Sequence, residues 1–241
     1  MSRSHGQVRT LFAMWRFGTV RAMEGRRVRL RADLLSAIRA SALDELRRVG
    51  AAQLSLREVA RSAGISPSGL YRYVDGRDAL LELLITDGFE AFGVAIESAI
   101  EAAGDDLVAQ LEAVALAYRR WAQANPDQFG LILGSPVPGF HARDGGSTVE
   151  GVRTFAEPMV RVVARAHAAE AIDVSMYDPV LGGIPDPLVS VIVRAWGRIH
   201  GLVALETFGH LRWTDSDVES LLRTEIASLA VELGVGTAGA T

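Results

Sequence analysis

The segment between residues 66 and 73 gathers side chains that are suited to binding a polyanion. Ser66, Ser68, Tyr71, Arg72 and Tyr73 all fall within this short stretch. An arginine can bind guanine or phosphate with two hydrogen bonds, and tyrosine hydroxyls reach phosphates while the rings contact thymine methyl groups. Two tyrosines and an arginine in succession reduce solubility unless they contact a partner. The pattern therefore predicts a surface that binds duplex DNA.

Two short helices joined by a tight turn are predicted to position this surface. The run Ser55-Leu-Arg-Glu58 is a capping box, in which Ser55 and Glu58 satisfy each other's free backbone N–H groups. Gly64 tolerates the positive φ that a steep turn between helices requires. Ser66-Pro67 then supplies an N-cap and a proline at the first helical position, where its missing N–H costs nothing. The order helix, turn, helix follows from these residues alone.

The apolar positions predict how the two helices pack. Val59, Ala60 and Leu70 are expected to pack on a preceding helix over 31–49, which ends at Gly50. That three-helix unit leaves the polar residues of the last helix facing outward, with two arginines placed to clamp phosphates on either side. The candidate DNA-binding residues are Ser55, Arg57, Ser66, Pro67, Ser68, Tyr71, Arg72, Tyr73 and Arg77. An ordinary helical hairpin with a tyrosine-rich surface is the alternative.

The charge distribution is uneven along the chain. Residues 1–80 carry a net charge of +8 and residues 81–241 carry −12, which together give the overall −4. A basic first third suggests that one end of the molecule meets a polyanion, although solvated arginines arranged by chance would look the same. Residues 1–22 are basic and lack helix caps. Either translation starts at Met23, or these residues form a basic arm that contacts DNA.

The remaining segments also have helical patterns, and none shows the alternation typical of a strand. Caps, glycines and prolines delimit helices near 77–102, 104–124, 150–171, 188–210 and 215–233. The predicted fold class is therefore all-α, with an N-terminal three-helix helix-turn-helix domain and a larger helical domain for ligand binding and dimerisation. The predicted divisions are an N-terminal extension over 1–30, the DNA-binding domain over 31–80, the helical domain over 81–233 and a flexible tail over 234–241.

The second domain offers candidate ligand-binding and dimer-forming side chains. Aromatic and apolar residues that could line a cavity are Tyr118, Trp121, Phe129, Phe140, Phe155, Met159, Trp196 and His200. The same residues could equally form a plain core, with Trp196 and His200 a buried pair and Gly201 allowing close helix approach. The last two helices are expected to pair two chains through Ile192, Val203, Val218, Leu222, Ile226 and Leu229.

Composition and motifs argue against catalysis, metals and membranes. The chain has no cysteine, and its five histidines lack the spacing of a zinc site. There is no nucleophile elbow, Walker loop or dinucleotide-binding turn. No apolar stretch approaches the roughly 18 residues of a membrane span, and no signal peptide is evident. We therefore expect a cytoplasmic protein without catalytic residues, metal sites or cofactors.

The sequence resembles the TetR family of transcriptional repressors over residues 31–85. The matching runs are Leu56-Arg-Glu-Val-Ala60, Ala63-Gly-Ile-Ser66, Gly69-Leu-Tyr-Arg-Tyr-Val74 and Arg77-Asp-Ala-Leu80. By this resemblance Tyr71 matches the family's near-invariant tyrosine, Tyr73 its histidine or tyrosine, and Arg77 its phosphate-binding cation. Val74 replaces the usual phenylalanine, and Gly69 stands where threonine, alanine or serine is common. Gly134-Ser-Pro-Val-Pro-Gly139 and Trp196-x-x-x-His200-Gly201 resemble a subgroup with a Trp-His-Gly signature.

The resemblance implies a homodimer that binds a double-stranded DNA operator of pseudo-palindromic sequence. It also implies that a small hydrophobic effector binds in the C-terminal domain and releases the repressor from DNA. The long helix near 77–102 is the expected link between the two functions. A DNA-binding regulatory or architectural protein without a ligand is the alternative. The presence of an enclosed cavity in residues 100–240 would favour the ligand-responsive repressor over this alternative.

Overall fold

The computed structural model describes residues 28–134, 136–140, 146–166 and 186–233. Within these residues there are α-helices and a 3₁₀ turn, and there is no strand. The helices are α1 (28–49), α2 (Leu56–Ser62), α3 (Pro67–Leu70), α4 (Gly76–Ala103), α5 (Leu107–Ala124), α6 (Pro126–Leu133), α7 (Ser147–Ala166), α8 (Asp186–Thr207) and α9 (Val218–Glu232). A short 3₁₀ turn, Ala51–Gln53, follows α1. The predicted all-α class is confirmed. No helix of the described residues is long and apolar enough to cross a membrane.

The described residues divide into two compact units. The first holds α1, α2 and α3, and its core contains the predicted Val59, Ala60 and Leu70 together with Ile38 and Ala42 of α1, all almost fully buried. Helix α1 is already formed at residue 28, the first described residue, so it includes the three residues before its predicted start at 31. Residues 1–27, on which the basic arm and the Met23 start were argued, lie outside the described residues.

The second unit contains α4 from Asp78 onwards and α5 to α9. Capping residues account for the starts of α5 and α9, because a side-chain oxygen can satisfy the free N–H groups of a first turn. Asp106 accepts hydrogen bonds from Val108 N at 2.9 Å and Ala109 N at 3.2 Å. Asp217 accepts from Glu219 N at 3.0 Å at the start of α9.

Two polar residues that precede helices, Asn125 and Thr214, make hydrogen bonds other than an N-cap. The amide of Asn125 donates from Nδ2 to Trp121 O at 3.0 Å, so it binds the end of α5 and makes no side-chain cap for α6. The hydroxyl of Thr214 accepts from Ser216 N at 2.8 Å and shapes the turn before α9. In both places several polar residues compete for the same backbone groups, and residue type alone does not decide between them.

An aromatic cluster fills the centre of the second unit. The Phe92 ring stacks on Trp121 at 4.1 Å between centroids with 8° between planes, and it lies 4.8 Å from Tyr118 and 4.9 Å from Phe155. Phe129 meets Tyr118 edge-on at 6.0 Å. Offset and edge-to-face ring pairs of this kind stabilise a core beyond the area that they bury. The cluster joins α4, α5, α6 and α7.

Helices α4 and α7 approach one another at backbone distance. A Cβ atom added to Gly93 of α4 would lie 2.5 Å from Thr154 O of α7. One added to Gly151 of α7 would lie 3.3 Å from Thr86 O and from Phe89 Cβ. The two glycines therefore have a packing role, because any larger side chain would force the helices apart.

Candidate DNA-binding surface and internal cavity

The turn between α2 and α3 has the geometry that the sequence predicts. Gly64 adopts a φ of 70°, and Ile65 N donates to Ala60 O at 3.0 Å. The Ser66 hydroxyl accepts from Gly69 N at 3.1 Å, and Pro67 occupies the first turn of α3. Ser68 Oγ lies 3.1 Å from Ser66 Oγ. The start of α3 is thus fixed by local hydrogen bonds and contains only small side chains.

The outer face of α3 is exposed. Ser66, Pro67, Ser68 and Arg72 are all exposed, and the Tyr71 side chain has 58% of its surface accessible. A large aromatic side chain that is exposed to this extent is the informative observation, because apolar surface is normally covered. These residues form one continuous outward surface with the turn, which we call the α3 face.

Tyr73 is less exposed than the outward placement that the sequence suggested, and Ser55 forms the predicted cap. The Tyr73 ring is half-buried, and the guanidinium carbon of Arg31 in α1 lies 5.9 Å from its centroid, a cation–π arrangement. The Ser55 hydroxyl accepts from Glu58 N at 3.4 Å as the cap of α2. Both side chains therefore hold the unit together, and neither lies free on its surface.

Charged groups on α2 are partly neutralised. Arg61 Nε donates to the Glu58 carboxylate at 2.9 Å, and this hydrogen bond lowers the pKa of Glu58 below its ordinary value. Glu58 thus pairs with Arg61 one turn away, whereas the capping box assigned it to the Ser55 backbone. Arg57 at the start of α2 is exposed, and Arg77 in the first turn of α4 is half-buried.

A cavity of about 270 Å³ lies inside the second unit. Helices α4 to α9 all contribute to its wall, and every lining residue is apolar except for the indole nitrogen of one tryptophan. The lining residues are Phe89, Leu111, Val114, Leu133, Val152, Phe155, Ala156, Met159, Val160, Val162, Val163, Ile192, Val193, Ala195, Trp196, Ile199, Ile226 and Leu229.

Only part of the predicted ligand-contacting set reaches this cavity. Phe155, Met159 and Trp196 line it. Tyr118, Trp121 and Phe129 are instead buried in the aromatic cluster, because they fill the space between α4, α5 and α6. His200 and Phe140 are half-buried outside the cavity wall. Phe89 and Val163 line the cavity and were missed, since nothing distinguishes them from core residues by type.

Three polar side chains next to the cavity satisfy one another. Trp196 Nε1 donates to Tyr118 Oη at 3.2 Å, and Tyr118 Oη lies 3.0 Å from His200 Nδ1. The Tyr118 hydroxyl accepts from the indole, and it can donate to a His200 ring that carries its proton on Nε2 or accept from one that carries it on Nδ1. Burial raises the pKa of Tyr118 and lowers the pKa of His200, so both groups stay neutral near pH 7. We call this set the Trp–Tyr–His relay.

The residues predicted to form the dimer interface are mostly buried in the single chain. Val203, Val218, Leu222, Ile226 and Leu229 have at most 3% of their surface exposed. Ile192 is half-buried and lines the cavity. That assignment needs correction, because helical periodicity marks an apolar face without saying whether its partner is in the same chain.

The outer face of α8 and α9 carries other apolar residues. Gly197 and Gly201 have open space where a Cβ would be, so Gly201 does not serve close helix approach within the described chain. Larger apolar side chains with 38–67% of their surface exposed continue this face, namely Val189, Val193, Trp196, Leu205 and Phe208 of α8 and its following turn, with Leu221 and Val231 of α9. We call this surface the α8–α9 face.

Comparison with known proteins relates both units to bacterial regulators. Residues 38–84 match the family "Bacterial regulatory proteins, tetR family", and residues 111–229 match "Tetracyclin repressor-like, C-terminal domain". The HTH-type transcriptional regulator Rv1816 of Mycobacterium tuberculosis is 35% identical over 178 residues, which cover 66% of this chain and 74% of that protein.

Solved structures show the same fold over most of the chain. The crystal structure of the regulatory protein SCO4313 is 30% identical with a TM-score of 0.67, and it covers 86% of this chain and 97% of its own. FadR from Bacillus subtilis, solved in complex with stearoyl-CoA, is 14% identical with a TM-score of 0.60 over 81% of this chain and 97% of its own. Together, the turn geometry, the two matching domains and the mycobacterial relative show that this chain belongs to the TetR family of helix-turn-helix transcriptional regulators.

Proposed function

We propose that the protein is a cytoplasmic repressor that binds a pseudo-palindromic operator as a homodimer and leaves it when a small hydrophobic molecule binds. The exposed α3 face is the observation that carries the DNA-binding part. A capped helix with small residues at its start can place its backbone N–H groups against a phosphate, because the helix dipole favours negative charge there.

The residues of the first unit divide by role. Tyr71 and Arg72 are exposed in the turn directly after α3 and are the proposed readers of base edges, since an arginine fork matches guanine in the major groove. Arg57 and Arg77 are the proposed backbone contacts, with Ser66, Pro67 and Ser68 at the close approach. Tyr73 and Ser55 support the site indirectly, through the contact with Arg31 and the cap of α2.

We propose that two chains pair through the α8–α9 face. Its exposed valines, leucines and Trp196 are costly to leave in water, and the open space at Gly197 and Gly201 permits another backbone to come close. Two-fold pairing presents two α3 faces to successive major grooves, so half-sites would lie about 34–36 Å apart.

The 270 Å³ cavity supports ligand control over the ligand-independent alternative. Effector binding would favour a dimer geometry that no longer matches the operator spacing. Its effect on DNA binding can be no larger than its differential affinity for the two geometries.

Selection of bound sequences from a random DNA pool tests the operator prediction, and gel-shift titration with the selected site tests the roles. Arg72→Ala should reduce discrimination between the selected site and its base substitutions by roughly tenfold, at about 1–3 kcal/mol for a base contact. Arg57→Ala should weaken binding to all DNA alike and lower the salt slope by about one unit. Arg47→Ala, which removes an exposed α1 arginine paired with Asp44, is the matched control.

Selected sites without two-fold symmetry, or an Arg72→Ala variant with unchanged discrimination, would contradict the assignment of α3 as the reading helix. A chain that stays monomeric on sizing columns at the concentrations that give operator binding would contradict the dimer.

A further inference from the structure

We infer that the effector is a small, uncharged and largely hydrocarbon molecule. This inference rests on the proposed ligand control and names the class of molecule that the cavity accepts. Three observations carry it: the chemistry of the lining, the use of the nearby polar groups by one another, and the volume.

The lining offers no partner for a charge. None of the described cavity-lining residues is acidic, basic or an amide. Two arginines of α7 are already engaged: Arg161 binds Glu97 of α4 at 2.5 Å, and Arg165 donates to Gln110 of α5 at 3.2 Å. Moving a carboxylate or ammonium into such a site requires full desolvation without compensation.

The indole and phenol groups next to the cavity bind one another. Trp196 is the one described lining residue with a side-chain hydrogen-bond donor, and that donor binds Tyr118 Oη. Tyr118 Oη also lies 3.0 Å from His200 Nδ1, and both Tyr118 and His200 stand outside the described lining. A ligand that demanded a strong hydrogen bond from the described lining would have to break the contact between Trp196 and Tyr118, so a molecule with at most a single weakly polar group fits best.

The volume limits the size. The volume of the cavity is about 270 Å³. The cavity is slightly smaller than the range of roughly 300–1,000 Å³ that is usual for drug-sized ligands. A coenzyme A thioester such as the one bound to Bacillus subtilis FadR carries several phosphates and is far larger. The shared fold therefore does not extend to a shared effector.

Three probes that share a ten-carbon chain and have nearly the same size separate charge from hydrophobicity: 1-decanol, decanoate and decylammonium. Titration calorimetry on the full chain at pH 8 measures each affinity, and thermal melting gives a second reading because a ligand of the native state raises the melting temperature. We expect 1-decanol to bind at least tenfold more tightly than either ion. Equal or tighter binding of an ion, or no binding by any probe, would overturn the inference.

A matched pair of variants locates the binding site. Ala156 lines the cavity and is half-buried, so Ala156→Phe should fill the space and reduce 1-decanol affinity at least tenfold. Ala91 is exposed on α4, and Ala91→Phe should leave the affinity unchanged. If Ala156→Phe does not fold, Met159→Trp fills the same cavity from another lining position on α7. Undiminished binding in a folded cavity variant would contradict the assignment of the site.

Measuring whether each probe releases the protein from the operator distinguishes a failure of this inference from a failure of the proposed function. If 1-decanol binds selectively but does not weaken the gel-shift complex at saturation, ligand control fails while the class of ligand stands. If decanoate binds preferentially and releases the operator, ligand control stands and the uncharged class is wrong.

Discussion

Replacing Tyr118 by phenylalanine removes one oxygen atom and with it the centre of the Trp–Tyr–His relay. The ring is fully buried and contacts Phe92, Phe129 and Phe155, contacts that phenylalanine preserves. Any loss of stability then reports on the hydrogen bonds to Trp196 at 3.2 Å and His200 at 3.0 Å.

The expected loss is about 2 kcal/mol of unfolding free energy. A typical hydrogen bond contributes about 0.5–1.5 kcal/mol, and a buried group left without a partner costs about 1–3 kcal/mol. Trp196 is 41% exposed, so water can replace its partner, whereas the half-buried His200 Nδ1 has less access to water. For a chain of this size the loss corresponds to a melting temperature about 4–8 °C lower.

Circular dichroism melts at one fixed protein concentration measure this loss, because dimerisation makes the melting temperature depend on concentration. Tyr71→Phe is the matched control: its side chain is 58% exposed, and stability should change by no more than about 0.5 kcal/mol. Trp196→Phe should couple with Tyr118→Phe by at least about 0.5 kcal/mol in a double-mutant cycle. Equal melting of the Tyr118 and Tyr71 variants, with no coupling, would refute the energetic role of the relay.

Three further perturbations test the packing and electrostatics. Gly93→Ala should destabilise the fold by more than about 2 kcal/mol in urea unfolding, because its Cβ would lie 2.5 Å from Thr154 O. A Cβ at Gly197 would lie in open space, so Gly197→Ala should leave the fold stable and instead weaken the proposed dimer on a sizing column. Arg119→Met should lower the free energy of unfolding by about 1–3 kcal/mol, because Arg119 of α5 binds Glu206 of α8 at 2.7 Å and Glu219 of α9 at 3.2 Å. An unchanged midpoint of urea unfolding would contradict this. Burial lowers the pKa of His200 from 6.5, so as the pH falls the unfolded chain takes up the His200 proton before the folded chain does, and stability should fall below pH 6.5. His200→Gln should therefore lose less stability than the parent protein between pH 7.5 and 5.5. An equal loss in both would show that other groups cause the pH dependence.

Short-range features of the fold could be predicted from the sequence. The cap at Ser66, the proline at Pro67 and the turn at Gly64 involve residues within three or four positions of one another, so their chemistry is visible in the chain itself. The burial of Val59 and Leu70 follows from helical periodicity in the same way.

Features that depend on how helices meet could not be predicted. Trp121 and Trp196 are both aromatic residues of apolar helices, yet one stacks on Phe92 in the core and the other lines the cavity. Leu222 and Leu221 are neighbours on α9, and only the first is buried in the chain. Sequence periodicity identifies an apolar stripe, but the position of a void or of a partner is a property of the packed helices.

The glycine contact between α4 and α7 gives the cavity walls unequal stiffness. Gly93 and Gly151 hold the two backbones together, so Phe155 and Met159 on α7 have little freedom to retreat from a guest molecule. On the opposite side, Val193 and Trp196 line the cavity with 56% and 41% of their own surfaces exposed. A molecule slightly too large for the cavity would therefore displace α8 outward, and the domain would expand on the side of α8.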